Sequence, residues 1–359
     1  MFKKVLAIIM SVMLVVPMVA CSNSSSSTNK DTTTPVEKQA LKMDTVMDLK
    51  VYGTNANAAI DAAYKRIDEI EQMSSANIAT SDVSLINKAS GKDYVKVHPE
   101  IIKMLNTALK FSKLSDGAFD ISVGPLIKLW GIGTSSERLP ADSEIKALLP
   151  LVGYKNISIN EKDSSVKLMK EGMAIDLGGI AKGFTADEVI KVFKKYGIKN
   201  ALINLGGSSI YTMGQKPDGS LWSVAIQHPR KDKSEGYLGI IKLPESALST
   251  SGDYERYFIK DGKRYHHILN PFTGYPAEAG VMSDTIIIDS TTPDANMLAD
   301  TLTKVTFVLG VEKGMKIIDT LPGVSVMAET TDFKVYKSKS WKADVQNLSS
   351  DFTMVDKAQ

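Results

Sequence analysis

Apolar residues recur along this chain at two spacings, and each spacing marks an element. In NAAIDAAYKRIDEIEQM (57–73), Ile60, Ala63, Ile67 and Ile70 return every three or four residues, which predicts a helix with one buried face. SDVSLINKAS (81–90) predicts a short helix capped by Ser81 or Asp82, and HPEIIKMLNTALKFSKLS (98–115) a longer one opened by Pro99. SEIKALLPLVG, TADEVIKVFKKYG, PDANMLADTLTKVTFVLG and VEKGMKIIDTL continue the helical set. Pro293 opens the third of these. Its Leu298, Leu302, Val305 and Leu309 form a stripe, with Asn296, Asp300 and Lys304 as a polar line beside it.

Alternation or short apolar runs predict strands at TVMDLKVYG (45–53), ISIN, SVKLMK, NALINLGGSSIYTMG, WSVAIQ, YLGIIKL, GVMSDTIIID, GVSVMAE and FKVYK. ERYFIKDGKRYHHIL (255–269) reads as a hairpin about Asp261-Gly262. GAFDISVGPLIKLWGIG (117–133) is glycine-punctuated and matches no regular element. Hairpins mixed with helices imply an α+β (mixed α/β) fold with a largely antiparallel sheet core and flanking helices.

The amino terminus follows a different pattern. MFKKVLAIIMSVMLVVPMVA has two lysines, an apolar run and small residues before Cys21, the order of an export signal. The run is short for a membrane span, which needs roughly 20 residues. Cys21 is the only cysteine. MVAC resembles a bacterial lipobox, which implies cleavage before Cys21, lipidation of its sulfur and a cell-membrane anchor facing outside the cytoplasm. A plain signal peptide with an incidental cysteine is the alternative. SNSSSSTNKDTTTP is too polar to build a core. The expected organisation is therefore a signal (1–20), a tether (21–40), one domain (41–349) and a tail (350–359). The formal net charge is +2 with interspersed signs, so no nucleic-acid surface is expected.

Three stretches concentrate unusual residues. AIDLGGIAKGFTADEV (174–189) sets glycines and Lys182 at a strand-to-helix turn, yet fits neither a Walker loop nor a dinucleotide fingerprint. A tight turn with a solvated lysine explains it equally well. In GAFDISVGP, Asp120 lies among apolar neighbours and serves either a ligand or a turn. His266 and His267 point to opposite faces of a strand, so only one can meet a pocket, as a general base or a phosphate contact. Asp300 is either a hard oxygen ligand for Mg²⁺ or half of a surface ion pair with Lys304.

The order of these stretches joins them. MDT (43–45), MSS…SDVS, GAFDISVGPL, AIDLGGIAKGFTAD, NLGGS, SGDYERYF, HHILNPFTGYPA and LADTLTK closely resemble the flavin transferase (ApbE) family over nearly all of 41–310. The resemblance implies an exported, often lipid-anchored enzyme that needs Mg²⁺, with Mn²⁺ as a substitute. It would cut FAD at its pyrophosphate, transfer FMN to a threonine or serine of exported flavoproteins, and release AMP. It implies that Asp300 and the Gly179 carbonyl hold metal. Met43, Asn77, Ala118, Phe119, Asp120, Asp176, Lys182 and Ile268 would hold the flavin nucleotide, with His267 as general base or phosphate contact; Asp300 could share the base role.

Two departures follow. The family's threonine four residues after the metal aspartate is Lys304 here, so either Thr303 shifts into that role or the lysine ammonium supplies charge where a ligand would have been. The family's ring-bearing tyrosine after M-S-x is replaced by Ala76 and Asn77. An FAD pyrophosphatase releasing FMN and AMP, or a non-catalytic FAD-binding lipoprotein, are the competing readings.

Overall fold

Seventeen short strands and seven helices alternate along the chain in the computed structural model, which describes residues 33–231 and 236–355. The expected signal, Cys21 and most of the expected tether lie outside the described residues. The strands are β1 (Val36–Lys42), β2 (Thr45–Val51), β3 (Val95–Lys96), β4 (Ile157–Asn160), β5 (Ser165–Leu168), β6 (Ala201–Leu205), β7 (Ser209–Met213), β8 (Trp222–Gln227) and β9 (Tyr237–Leu243). They continue with β10 (Ser246–Gly252), β11 (Tyr257–Lys260), β12 (Lys263–His266), β13 (Val281–Asp289), β14 (Val324–Thr330), β15 (Lys334–Lys337), β16 (Val345–Gln346) and β17 (Thr353–Met354). The helices are α1 (Ala56–Ser74), α2 (Asp82–Lys88), α3 (Pro99–Leu114), α4 (Gly124–Trp130), α5 (Asp142–Leu148), α6 (Ala181–Lys195) and α7 (Ala295–Ile318).

Nine strands form the main sheet in the order β1-β2-β6-β7-β10-β13-β14-β15-β17. Every pairing but β15–β17 is antiparallel, as the hairpin-rich pattern predicts. Alternate residues of each strand face opposite sides. Ile286 and Ile288 of β13 meet the core shared with α1, α3, α6 and α7, while Ile287 meets a second core against the small sheet β16-β9-β8. The main sheet is thus covered on both faces.

Several boundaries differ from expectation. The folded part begins at Val36 rather than 41. VEKQALK has polar residues on both faces, yet it pairs with β2 from Val36↔Val51 to Lys42↔Thr45. Lys38 and Lys42 reach Asp61 and Asp68 of α1. At the other end, Thr353 and Met354 pair with β15, so part of the expected tail belongs to the sheet. NALINLGGSSIYTMG is two strands turned at Gly206-Gly207, both with positive φ. The stretch 117–133 contains α4.

The expected two-sided character of α7 also fails. Leu302 and Val305 are buried, but so are Asn296, Asp300, Thr301, Thr303 and Thr306. The part of α7 before Gly310 is packed between sheet and helices, so its polar line is buried; exposed charges, Glu312, Lys313 and Lys316, come only after Gly310. The two expected helices are both present within the span labelled α7: they meet at Gly310, whose φ of 78° and ψ of 173° are non-helical and end the first.

Candidate active site

Glycine 183 sets the geometry of the site. A Cβ on it would lie 2.2 Å from the Asn296 carbonyl oxygen, so only glycine lets α6 approach α7 this closely. One turn along, Asp187 of α6 clamps the start of α7. It accepts from the Asn296 side chain (2.8 Å) and backbone (3.2 Å) and from the Met297 backbone (2.9 Å). Burial pushes the Asp187 carboxyl up to about 6. With the helices so registered, the Gly183 N–H donates to Asp300 Oδ2 at 3.0 Å.

A cleft of about 860 Å³ opens beside this contact, within the ~300–1,000 Å³ range of ligand sites. Met43, Asn77, Ala118, Phe119, Asp120, Asp176, Gly179, Lys182, His267 and Ile268 all line it, drawn from five separate stretches of chain. Met43 and Asp44 form the two-residue turn between β1 and β2 with φ of 48° and 58°. Left-handed backbone in a methionine is strained, a feature concentrated at ligand clamps. Asp176 accepts from the Gly178 N–H at 2.7 Å, which tightens the glycine turn before α6. Asn77 is solvent-exposed, and its own N–H donates to Ser75 Oγ.

Asp120 is the expected nucleotide contact most committed to the protein. Its carboxylate accepts from the Ser122 N–H (2.8 Å), the Ser122 hydroxyl (2.6 Å) and the Tyr154 N–H (2.8 Å). Burial nevertheless holds its pKa above the usual range. The turn role that the sequence left open is therefore filled, and Asp120 ties two loops together at the cleft wall.

The two histidines separate as expected. His266 is buried, with Nε2 3.0 Å from the Ala277 carbonyl. His267 lines the cleft, and its Nδ1 lies 3.3 Å from the Arg256 carbonyl. A carbonyl can only accept, so Nδ1 carries the proton and Nε2 keeps its lone pair. Burial holds the His267 pKa well below the usual value, and Arg256 and Lys182 push it the same way. The imidazole is neutral at physiological pH.

Arg256 is a site residue the sequence reading missed. It lines the cleft, is exposed, and has no ion-pair partner among the described residues. In ERYFIKDG a charged residue before an exposed hairpin gives no local signal of this role. Lys182 also lines the cleft; burial lowers its pKa, Asp300 opposes that, and Lys304 and Arg256 add to it. Lys182, Arg256 and Lys304 bring three basic side chains to a cleft that Asp44, Glu71, Asp120, Asp176 and Glu255 also line.

Asp300 and Thr303 do not line the cleft. Asp300 is 1% exposed, and Lys304 Nζ lies 2.5 Å from its Oδ1 and 2.7 Å from its backbone carbonyl. Burial acts to raise the Asp300 pKa, but Lys304 and Lys182 hold it below the usual range. This pair is buried, not the surface pair offered as an alternative. The Thr303 hydroxyl donates to the Asp300 carbonyl (2.7 Å) and accepts from Ser251 (2.8 Å). Gly179 does sit beside Lys304, whose Cε would lie 3.5 Å from a Cβ at that glycine. The Gly179 carbonyl and Asp300 carboxylate are the hard oxygen donors that Mg²⁺ takes. With an ammonium on Asp300 Oδ1, however, this arrangement does not fit a divalent ion. No group of three or more acidic, histidine or cysteine side chains suited to a metal occurs among the described residues.

Comparison with known proteins agrees with this geometry. The model of the ApbE family matches residues 43–328. A protein of Klebsiella pneumoniae named FAD:protein FMN transferase is 32% identical over 317 residues, covering 88% of this chain and 96% of that one. One of the same name from Treponema pallidum is 30% identical over 331 residues, covering 88% and 90%. The crystal structure of the ApbE protein of Thermotoga maritima superposes with a TM-score of 0.74 at 31% identity, covering 87% of this chain and 97% of that one. The flavin transferase ApbE of Vibrio cholerae gives a TM-score of 0.73 at 26% identity, with the same coverage.

Proposed function

The chain belongs to the ApbE family, and from that premise we propose that it is an FAD:protein FMN transferase. The observation that carries the reading is the neutral His267 between the cationic side chains of Lys182 and Arg256, on one cleft of dinucleotide size. FAD would lie along this cleft with its pyrophosphate near these groups. A threonine or serine hydroxyl of an exported flavoprotein attacks the FMN-side phosphorus. His267 Nε2 receives the hydroxyl proton as the new O–P bond forms. The bond from that phosphorus to the bridging oxygen breaks, and AMP leaves with the electron pair. Lys182 and Arg256 offset the charge that grows on the leaving phosphate. The first turn of α6 meets the same region with its N-terminal end, which favours anions.

Incubating the purified protein with FAD, a divalent cation and a threonine-bearing acceptor domain tests this. The expected result is a covalent FMN adduct on the acceptor by mass spectrometry, with one AMP per adduct. FMN and AMP in equal amounts without an adduct would replace transfer by hydrolysis, the reading favoured by the ring-free, exposed Asn77. FAD bound but never split would leave only a binding protein.

Export and anchoring belong to the same proposal. They rest on the apolar run before Cys21 and the polar stretch after it. Cys21→Ala is expected to move the protein from the membrane fraction to the soluble one; unchanged fractionation would refute the anchor.

A further inference from the structure

Both oxygens of the Asp300 carboxylate are taken by donors of the protein itself. Oδ2 accepts from the Gly183 N–H at 3.0 Å, and Oδ1 from the Lys304 ammonium at 2.5 Å. A second bond from the same ammonium, at 2.7 Å, goes to the Asp300 backbone carbonyl. The family resemblance implies a metal on this carboxylate beside Gly179. Lys304 stands there instead, with its Cε 3.5 Å from where a Cβ on Gly179 would lie. Asp300 is shut off from the cleft, whereas Lys304 lines it with 20% of its side-chain surface exposed. A second buried carboxylate, Asp284 of β13, pairs across the sheet with Ser251, whose hydroxyl contacts Thr303. Burial pushes the Asp284 carboxyl well above the usual range, and Lys304 is the cation that opposes this. Two buried acids thus draw on one ammonium, which ties a positive charge to this point of the cleft wall.

An ammonium carries three N–H donors, and two of them end on Asp300. The third has no acceptor among the described residues. We propose that Lys304 is the chain's own cation at the FAD pyrophosphate: its third N–H donates to a non-bridging phosphate oxygen, and FAD is held without a divalent ion. Asp300 acts through Lys304, aiming the ammonium from a position the ligand does not reach, so it is a positioning residue. Lys182 and Arg256 line the same cleft, and the pyrophosphate meets three basic side chains. As the bond to the bridging oxygen breaks, Lys304 joins the other two in offsetting charge on the leaving phosphate. The lysine where the family has threonine then substitutes for the metal instead of disabling the site. The inference rests on the reading of this cleft as an FAD site, but its test needs neither an acceptor nor transfer.

Equilibrium dialysis of FAD against the protein at fixed ionic strength, once with EDTA and once with Mg²⁺, reads the site directly. The expected Kd is the same in both. Lys304→Gln removes the charge but keeps an amide N–H for Asp300, and is expected to weaken FAD binding in EDTA at least about 10-fold. Added salt should weaken binding to the parent more steeply than to Lys304→Gln, which has one charge contact fewer to screen. Melting curves check that the variant folds, and the comparison of EDTA with Mg²⁺ on the parent needs no variant at all. Four results would overturn the proposal. FAD bound with Mg²⁺ but not with EDTA would mean that the ammonium does not serve as the cation. Affinity unchanged by Lys304→Gln would mean that Lys304 does not touch the ligand. Weakened binding with an unchanged salt slope would make Lys304 a residue that only shapes the cleft. No FAD binding under either condition would remove this proposal and the transfer reading together. Metal-independent FAD binding with no FMN adduct on an acceptor would strike the transfer reading and leave this one standing.

Discussion

His267→Ala is expected to slow FAD cleavage by about 10²–10⁴-fold while leaving FAD affinity nearly unchanged. The imidazole Nε2 is the neutral acceptor at the cleft, fixed in that tautomer by Nδ1 against the Arg256 carbonyl. Its removal takes away the proton acceptor but leaves the basic side chains Lys182, Arg256 and Lys304 in the cleft. Turnover and equilibrium binding of FAD, measured separately, distinguish this from a damaged cleft. A variant with full turnover would remove His267 from the mechanism. The pH profile adds a second check. The active form is the unprotonated one, and the folded pKa lies well below 6.5. The rate should therefore stay level as pH falls to about 6.5 and decline only below that. Stability follows the same sign: the unfolded histidine takes up a proton near 6.5 that the folded one resists, so this group weakens the fold only at acid pH. An acid limb centred at 6.5 would contradict the cation-flanked setting in the cleft wall.

Elements with a local cause were legible before the structure. Ile60, Ala63, Ile67 and Ile70 declare α1 because one face of an isolated helix must be buried. Asp261-Gly262 declares the β11–β12 turn because both residues adopt positive φ, 52° and 74°. What was misread depended on partners far away in sequence. The surface ion pair offered for Asp300 was open because nothing local says that the first part of α7 is packed between sheet and helices. VEKQALK looked like tether because an edge strand that pairs through its backbone needs no apolar alternation. Arg256 and Asp284 were not singled out, since one resembles a solvated charge within SGDYERYF and the other sits inside an apolar run. The ligand-facing segments were legible only as a set, through their resemblance to a family. Asp120 lines the cleft while its carboxylate also ties Ser122 to Tyr154, a structural role that no local pattern announced.

Gly183→Ala is expected to damage the fold and the site together, because one contact serves both. The added methyl would meet the Asn296 carbonyl oxygen at 2.2 Å and Met297 Cα at 2.7 Å. Both are backbone atoms held by Asp187, so no flexible side chain can swing aside. α6 and α7 would have to separate, straining the three bonds to Asp187 and lengthening the Gly183–Asp300 bond. Overpacking of this kind costs about 3 kcal/mol, which corresponds to a melting point lower by about 5 °C or more. The site should suffer beyond that loss. Asp300 would keep Lys304 but lose its backbone donor, and Lys182, one residue before Gly183, would shift with the start of α6. FAD cleavage at a temperature where the variant is fully folded should therefore fall at least 10-fold, since small displacements of positioning groups have large rate effects. Thermal melting and a turnover assay well below the melting point check the two halves separately. A variant that melts and turns over like the parent would show that the helices tolerate the methyl, and that Gly183 does not set the position of Asp300.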